Sequence, residues 1–402
     1  MKQIQVFLNY QERLKVGILL YKDRKVFFEY DKAFLKSSLE LSPYKLPLKE
    51  GVFECADMTL EGLWGVFNDS LPDGWGRLLL DRHFRKLGIN PHSVTVLDRL
   101  AFVGKFGMGA LSYEPQNLIE NTLSDMIILD DLADSSEAIL KGRSEELLDE
   151  LLSLGGSSGG ARPKVLIQLD EQKEQIIHGS QKLHEGFSHW MVKFASSSDG
   201  KEIGAVEYAY SLMARDAKLD MPRTTLLHDK KGSYFACERF DRVGDKRVHM
   251  QTVAGLIHSD FRYPSLDYDD LLALSFHLTK SVIEQKKVFR LACFNLFSHN
   301  RDDHAKNFSF LMNEQGEWSF SPVYDITFSS GPGGEHSSMY LGEGKNPTVK
   351  HLLQLAKKHQ IKDGAKIIEE VKKSIEKWKE FAEIAGVSKR EMLSIGKVLK
   401  GV

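Results

Sequence analysis

Cysteine is scarce. Only Cys55, Cys237 and Cys293 occur in 402 residues, far apart and each in an apolar context, so the spacing implies neither a disulfide framework nor a zinc ribbon. A reducing cytoplasm is the expected compartment. Long apolar runs are missing as well: no stretch approaches the roughly 18 residues that a spanning helix needs. The start, Met1-Lys2-Gln3-Ile4-Gln5-Val6-Phe7, lacks the apolar centre of a signal peptide, and no membrane contact is expected. The net charge of -2 removes any global reason to expect a nucleic-acid binder. No repeat at solenoid spacing occurs, and low complexity is confined to two glycine-rich loops. What remains is 42% hydrophobic and 27% charged, a soluble globular composition long enough for two or three domains.

The first sixty residues read as a meander of strands at Gln5–Leu8, Val16–Leu20 and Val26–Tyr30. A helix begins near Trp64 and breaks at Leu71-Pro72-Asp73-Gly74; a periodic one follows from Trp75 to Leu87, and a short one from Asp98 to Val103. A strand at Ala110–Glu114 stops at Pro115. From Asn117 to Glu150 the chain turns acidic, with Leu147, Leu148, Leu151 and Leu152 at helical spacing, which reads as a connector with a solvated face.

The residues that carry chemistry come later. Gly155-Gly156-Ser157-Ser158-Gly159-Gly160-Ala161 can turn backbone N–H groups toward an anion without Cβ obstruction. Pro163-Lys164 then opens a β-rich run rather than a helix, so the loop is expected between strands, as in a protein-kinase glycine-rich loop and unlike a Walker loop. A flexible linker has the same composition. His189–Phe194 is an apolar strand carrying Lys193, and Glu207 opens an amphipathic run that can supply its partner carboxylate. Ser233–Arg242 gives a strand and a charged segment where a hinge would sit, with backbone groups from Glu238 to Phe240 placed to read an adenine.

An apolar helix from Lys286 to Phe297 delivers Ser298-His299-Asn300-Arg301-Asp302-Asp303-His304-Ala305-Lys306-Asn307, and Tyr324-Asp325 follows a short strand. An Arg-Asp pair, an Asn five residues beyond the Asp, and a later Asp repeat the order of catalytic-loop and metal-binding parts in protein kinases. Asp302 would orient or deprotonate an attacking hydroxyl, while Asn307 and Asp325 would hold Mg²⁺ against the phosphates of ATP. A polar turn and a metallohydrolase site built on Asp302, Asp303, His304 and His299 are the competing readings. Ser329–Gly334 reads as a mobile loop. From Lys345 onward fourteen Lys and Arg face seven Asp and Glu, which solvated helix faces explain, with contact to DNA or an acidic partner as the other reading.

Taken together the order of parts resembles the HipA-type serine/threonine kinases of bacterial toxin–antitoxin modules, over nearly the whole chain. The likeness is carried by Leu71-Pro72-Asp73-Gly74, Gly109-Ala110-Leu111, Gly159–Lys164, Glu238-Arg239-Phe240-Asp241-Arg242, Asp302–Ser309 and Pro322–Ile326. It implies an α+β protein with a β-rich N-terminal subdomain (1–116), an acidic helical connector (117–150), an N-lobe-like part with the glycine-rich loop (151–242) and a mainly helical catalytic part (243–402). It further implies Asp302 as the catalytic aspartate and Asn307 and Asp325 as the metal ligands. The nucleotide would be lined by Ser157, Ser158, Gly159, Gly160, Ala161, Lys193, Glu238, Phe240, His304, Asn307 and Asp325. Ser157, or Ser158, would be an inhibitory autophosphorylation site. The implied partners are a protein substrate, a helix-turn-helix HipB-type antitoxin and, through it, operator DNA. An idle kinase fold serving as a corepressor is the alternative. His304 departs from the kinase pattern, which has Lys two residues after the catalytic Asp, and Asp303 has no role legible at this level.

Overall fold

The computed structural model describes residues 2–117, 127–143, 146–156, 159–179, 182–196, 199–230 and 232–401. Alternating apolar residues build the first sheet: in β1 (Gln3–Asn9), Ile4, Val6 and Leu8 are fully buried, with less buried residues between them. β2 (Arg13–Lys22) and β3 (Lys25–Tyr30) continue the expected meander, and β4 (Val52–Glu54) and β5 (Leu111–Glu114) complete an antiparallel sheet of order β4-β3-β2-β1-β5. Three helices lie between β4 and β5: α1 (Gly65–Asn68), α2 (Gly74–Lys86) and α3 (Val96–Val103). Thr95 and Asp98 form a capping box that starts α3. Val66, Phe67, Leu97 and Leu100 from α1 and α3 pack with Phe28 in the core of this sheet.

α2 belongs elsewhere. Its Trp75, Leu79, Leu80 and Phe84 are buried with α4 (Leu129–Leu140), α5 (Leu148–Gly155) and the inner face of a second sheet. That sheet is antiparallel, in the order β7-β6-β8-β10-β9, from β6 (Lys164–Asp170), β7 (Ile176–His178), β8 (Phe187–Lys193), β9 (Thr224–His228) and β10 (Ser233–Glu238). The glycine-rich segment joins α5 to β6 and does not run between two strands as expected. Leu148, Leu151, Leu152 and Leu154 keep a buried helical face right up to it. α5 also spans the boundary read at 150/151.

After β8, α6 (Ile203–Asp216) buries Ala209, Tyr210, Met213 and Ala214 in the helical half of the molecule. The chain continues through the hairpin β11 (Arg242–Val243) and β12 (Lys246–Arg247), β13 (His249–Thr252) and α7 (Val253–Ile257). Next come β14 (Leu266–Asp267), α8 (Tyr268–Thr279), α9 (Val282–Phe297), β15 (Ser309–Met312), β16 (Trp318–Phe320) and β17 (Ser338–Met339). Four helices close the chain: α10 (Val349–Lys358), α11 (Gly364–Glu376), α12 (Trp378–Ile384) and α13 (Lys389–Leu399). From Val288 to Phe297 α9 is buried at nearly every position, the mark of a central core helix. No helix among the described residues is long and apolar enough to cross a membrane.

The first sheet's module is docked on the helical half at several points. α1 crosses α7 so closely that a Cβ on Gly65 would lie 2.0 Å from the carbonyl oxygen of Gly255. Asp69 accepts from both the backbone N–H and Oγ1 of Thr252, each at 2.7 Å. The segment expected as a hinge contributes most. Asp241 is fully buried and takes a two-bond pair from Arg239 at 2.8 and 2.9 Å, one bond from Arg242 at 2.8 Å and the Gly109 N–H at 2.7 Å. Arg242 and Arg247 donate further to the carbonyls of Lys105, Gly107, Gly109 and Leu111.

Candidate active site

The site lies where the second sheet meets the loops after α9 and β16. Lys193 ends β8, and its Nζ is shared by Glu207 Oε1 at 3.1 Å and Asp325 Oδ1 at 2.5 Å. Glu207 faces it because α6 packs on β10, and it is 2% exposed. Burial acts to lower the pKa of Lys193, but the carboxylates of Asp325 and Glu207 more than reverse this and hold the ammonium charged. Burial likewise acts to raise Asp325, and Lys193, Lys164 and Arg162 outweigh it, leaving this carboxyl well below the usual range. Asp325 occupies the left-handed region at φ 54°, a strained setting that functional loops tolerate.

The catalytic-loop candidates stand together. Asn307 donates its amide N–H to the Asp302 carbonyl at 2.7 Å. Asp302 keeps about half of its side chain exposed (52%), with His304 Nε2 3.9 Å from Oδ1. Its pKa is raised, first by partial desolvation in the cleft and then by Asp325, against the lowering influence of His304 and Arg162. His304 packs against Phe261, and its Nδ1 is buried with no hydrogen-bonding partner among the described residues.

The Mg²⁺ expected from the sequence can be tested against these donors. Asn307 and Asp325 bring hard oxygens, and Asp325 stays ionised with only Oδ1 engaged by Lys193 among the described hydrogen bonds. Among the described residues no three His, Cys, Asp or Glu side chains converge as a ligand set. Magnesium in phosphoryl-transfer sites takes one or two protein oxygens and completes its shell from phosphates and water. The residues fit such an ion.

Asp303, which had no legible role, is almost wholly buried. It accepts from Tyr268 Oη at 2.8 Å, His336 Nδ1 at 3.0 Å and the N–H groups of Ser337 and Ser338 at 2.9 and 3.1 Å. It therefore anchors the loop that presents Asp302. His299 stacks on Phe328 with its Nδ1 3.2 Å from the Ser329 carbonyl. Both residues are thus engaged elsewhere than as the metallohydrolase ligands considered from the sequence. The Ser329–Gly334 segment, expected to be mobile, is stitched to the same loop: Ser329 donates to the His299 carbonyl at 3.0 Å, and Arg301 donates to the carbonyl of Gly334.

Of the other expected residues, Ser157 and Ser158 lie outside the described residues. Gly159, Gly160 and Ala161 lie against the turn at Asp73–Trp75, with the Gly159 carbonyl accepting from Lys164 Nζ at 2.5 Å. Lys164 and Arg162 are site cations that motif reading passed over. Lys164 is 5% exposed. Arg162 forms a two-bond pair with Asp199 at 3.0 and 3.1 Å and sits 3.6 Å from Glu207. Glu238 is tied to Arg223 through two bonds at 2.5 and 2.6 Å, and the N–H groups of Glu238 and Arg239 are given to the carbonyls of Arg223 and His189. That corrects the adenine reading for these two amides, which complete the sheet. Phe240 lies beside Tyr324, ring centroids 5.6 Å apart.

Both parts of the chain match known family models. Residues 156–379 match the model of the HipA-like C-terminal domain, and residues 5–114 that of the HipA N-terminal domain. This chain belongs to the HipA family. A chain of the Shewanella oneidensis MR-1 toxin–antitoxin complex of HipA, HipB and operator DNA superposes on it with a TM-score of 0.69 at 16% identity, covering 99% of this chain and 95% of that one. The HipA-type fold thus extends over nearly all of the chain, β-rich at the start and mainly helical in its C-terminal half among the described residues. A Haemophilus influenzae protein described as a putative kinase is 23% identical over 135 residues. That match spans 30% of this chain and 39% of the relative. The Helicobacter pylori proinflammatory kinase CtkA gives a TM-score of 0.34 at 13% identity, over 55% of this chain and 93% of its own.

Proposed function

We propose that this HipA-family chain is a protein serine/threonine kinase that moves the γ-phosphoryl group of Mg-ATP to a protein hydroxyl, as the toxin of a type II toxin–antitoxin module. The observation that carries the reading is Lys193 Nζ held between Glu207 and Asp325, with Asp302 and Asn307 presented on a neighbouring anchored loop. In this reading Lys193 pairs with the nucleotide phosphates, and Glu207 keeps it extended. Asp325 and Asn307 would hold Mg²⁺ through their side-chain oxygens, and the ion would supply positive charge beside the transferring phosphate. Asp302, with its raised pKa and solvent-facing carboxylate, orients the incoming hydroxyl and accepts its proton.

Modification of Ser157 or Ser158 would add about two negative charges to the loop over the phosphates, a self-limiting switch. A HipB-type antitoxin and, through it, operator DNA are the partners the family membership supports. The cytoplasm is the compartment where such partners meet.

The test is intact mass before and after Mg-ATP, for wild type, Asp302→Ala and Asp325→Ala. A gain of one phosphoryl group in wild type alone supports the reading. Nucleotide binding with no transfer, even to candidate substrates, together with tighter operator binding by the antitoxin, would replace it with the corepressor function.

A further inference from the structure

The turn that ends at Gly74 belongs by sequence to the N-terminal module, yet its acidic residue lies in the cleft. Asp73 stands at the N-cap of α2, where an aspartate usually bonds an amide of its own first turn, and here no such bond forms. Its carboxylate points across instead. Oδ1 accepts the N–H of Gly160 in the glycine-rich loop, and Oδ2 accepts from Lys306 Nζ at 2.5 Å in the loop that carries Asp302 and Asn307.

Neighbouring contacts make this a fixed strut. Trp75 donates its N–H to the Gly160 carbonyl at 3.0 Å, so Gly160 is gripped on both sides. Gly74 has φ +40° and approaches so closely that a Cβ would lie 2.6 Å from Ala161 Cα. Behind the turn, Trp75 and Leu79 are buried with β6 and β8, so the turn cannot swing without pulling α2 from its core. Lys306 is likewise fixed: its Nζ lies 4.3 Å from the Phe261 ring centroid, and its carbonyl accepts from Tyr324 Oη at 2.7 Å, next to Asp325.

We propose that Asp73 is a positioning residue of the nucleotide cleft: one carboxylate oxygen sets the glycine-rich loop, the other sets Lys306, and the N-terminal module thereby completes the site. The inference rests on the nucleotide-cleft part of the proposed function. A carboxylate receiving a loop N–H and an ammonium also has the surroundings of a phosphate, so a tethered anion that competes with nucleotide is the opposing account.

Amide hydrogen exchange, measured without nucleotide on the full chain, separates the two from the kinase question. In Asp73→Ala, exchange over residues 159–161 and 304–307 is expected to rise at least ten-fold, with α9 unchanged. Asp73→Asn keeps an acceptor for Gly160 but loses the charge facing Lys306, so only 304–307 is expected to speed up. Mg-ATP is expected to bind Asp73→Ala at least five-fold more weakly by calorimetry, with KM for ATP raised and Asp73→Asn intermediate. Unchanged exchange in Asp73→Ala, or tighter nucleotide binding, overturns the strut. If wild type transfers no phosphoryl group the kinase reading falls, while the exchange result still decides the inference.

Discussion

Two clusters of buried charge invite comparison. At the module junction, Asp241 receives four hydrogen bonds, and Arg242 and Arg247 spend their remaining protons on main-chain carbonyls of residues 105–111. In the cleft, one ammonium is divided between two carboxylates, Asp302 faces solvent and His304 Nδ1 has no described partner. Both clusters sit in reduced dielectric, where unpaired polarity is costly. The saturated cluster holds the fold together, whereas the unsaturated one keeps binding capacity in reserve. The difference is hydrogen-bond occupancy rather than residue type.

The largest effect should fall on chemistry alone. Asp302→Ala is expected to lower phosphoryl transfer by about 10³-fold, with urea denaturation showing stability near wild type; a variant that is active, or that unfolds, breaks the contrast. Asp241→Ala should do the reverse. Stranding the arginines that converge on it is expected to cost about 3–5 kcal/mol of stability, read as a lower denaturation midpoint, while any fraction still folded binds Mg-ATP as wild type does. If Asp241→Ala leaves the midpoint in place, the junction is not the structural cluster it looks to be.

Lys193→Met tests the cleft's own electrostatics. It leaves Glu207 and Asp325 facing each other and should destabilise the nucleotide-free protein by on the order of 3 kcal/mol at neutral pH. The pH dependence has a definite sign. The depressed pKa of Asp325 gives wild type stability that is present above the unfolded carboxylate value of about 4 and fades as pH falls through the folded value. Stability curves for wild type and Lys193→Met should therefore converge in acid; parallel curves would dismiss the pairing. The smallest effect is kinetic: the raised pKa of Asp302 moves the acid limb of the transfer rate upward from the value of an unperturbed aspartate. A limb at or below that value would remove Asp302 as the base.

Much of the cleft was legible from the sequence because its parts come in short strings with fixed spacing. Asp302 and Asn307 share one loop, and Lys193 and Glu207 are fourteen residues apart on adjoining elements. The meander and the central helix were legible too, from period-two alternation and an unbroken apolar run. What sequence reading missed depends on contacts between distant positions. Asp73 meets Lys306 across 233 residues, and its Leu-Pro-Asp-Gly setting looks like a helix cap. Asp303 gains its role from residues 33 to 35 positions away. The glycine-rich loop was placed between strands because Pro163-Lys164 opens a β-rich run after it, although the leucines before it already stand at helical spacing.

The glycine crossing of α1 on α7 has one more consequence. Together with Asp69–Thr252 and the arginine bonds to residues 105–111, it predicts that covalent continuity between the two matched segments is dispensable once the protein has folded. A chain cut between residues 117 and 127 should stay a single particle on a sizing column, and separately expressed halves should find each other. Exchange of the N-terminal module between relatives would then succeed only where both partners keep a hydrogen atom in place of a side chain at positions 65 and 255.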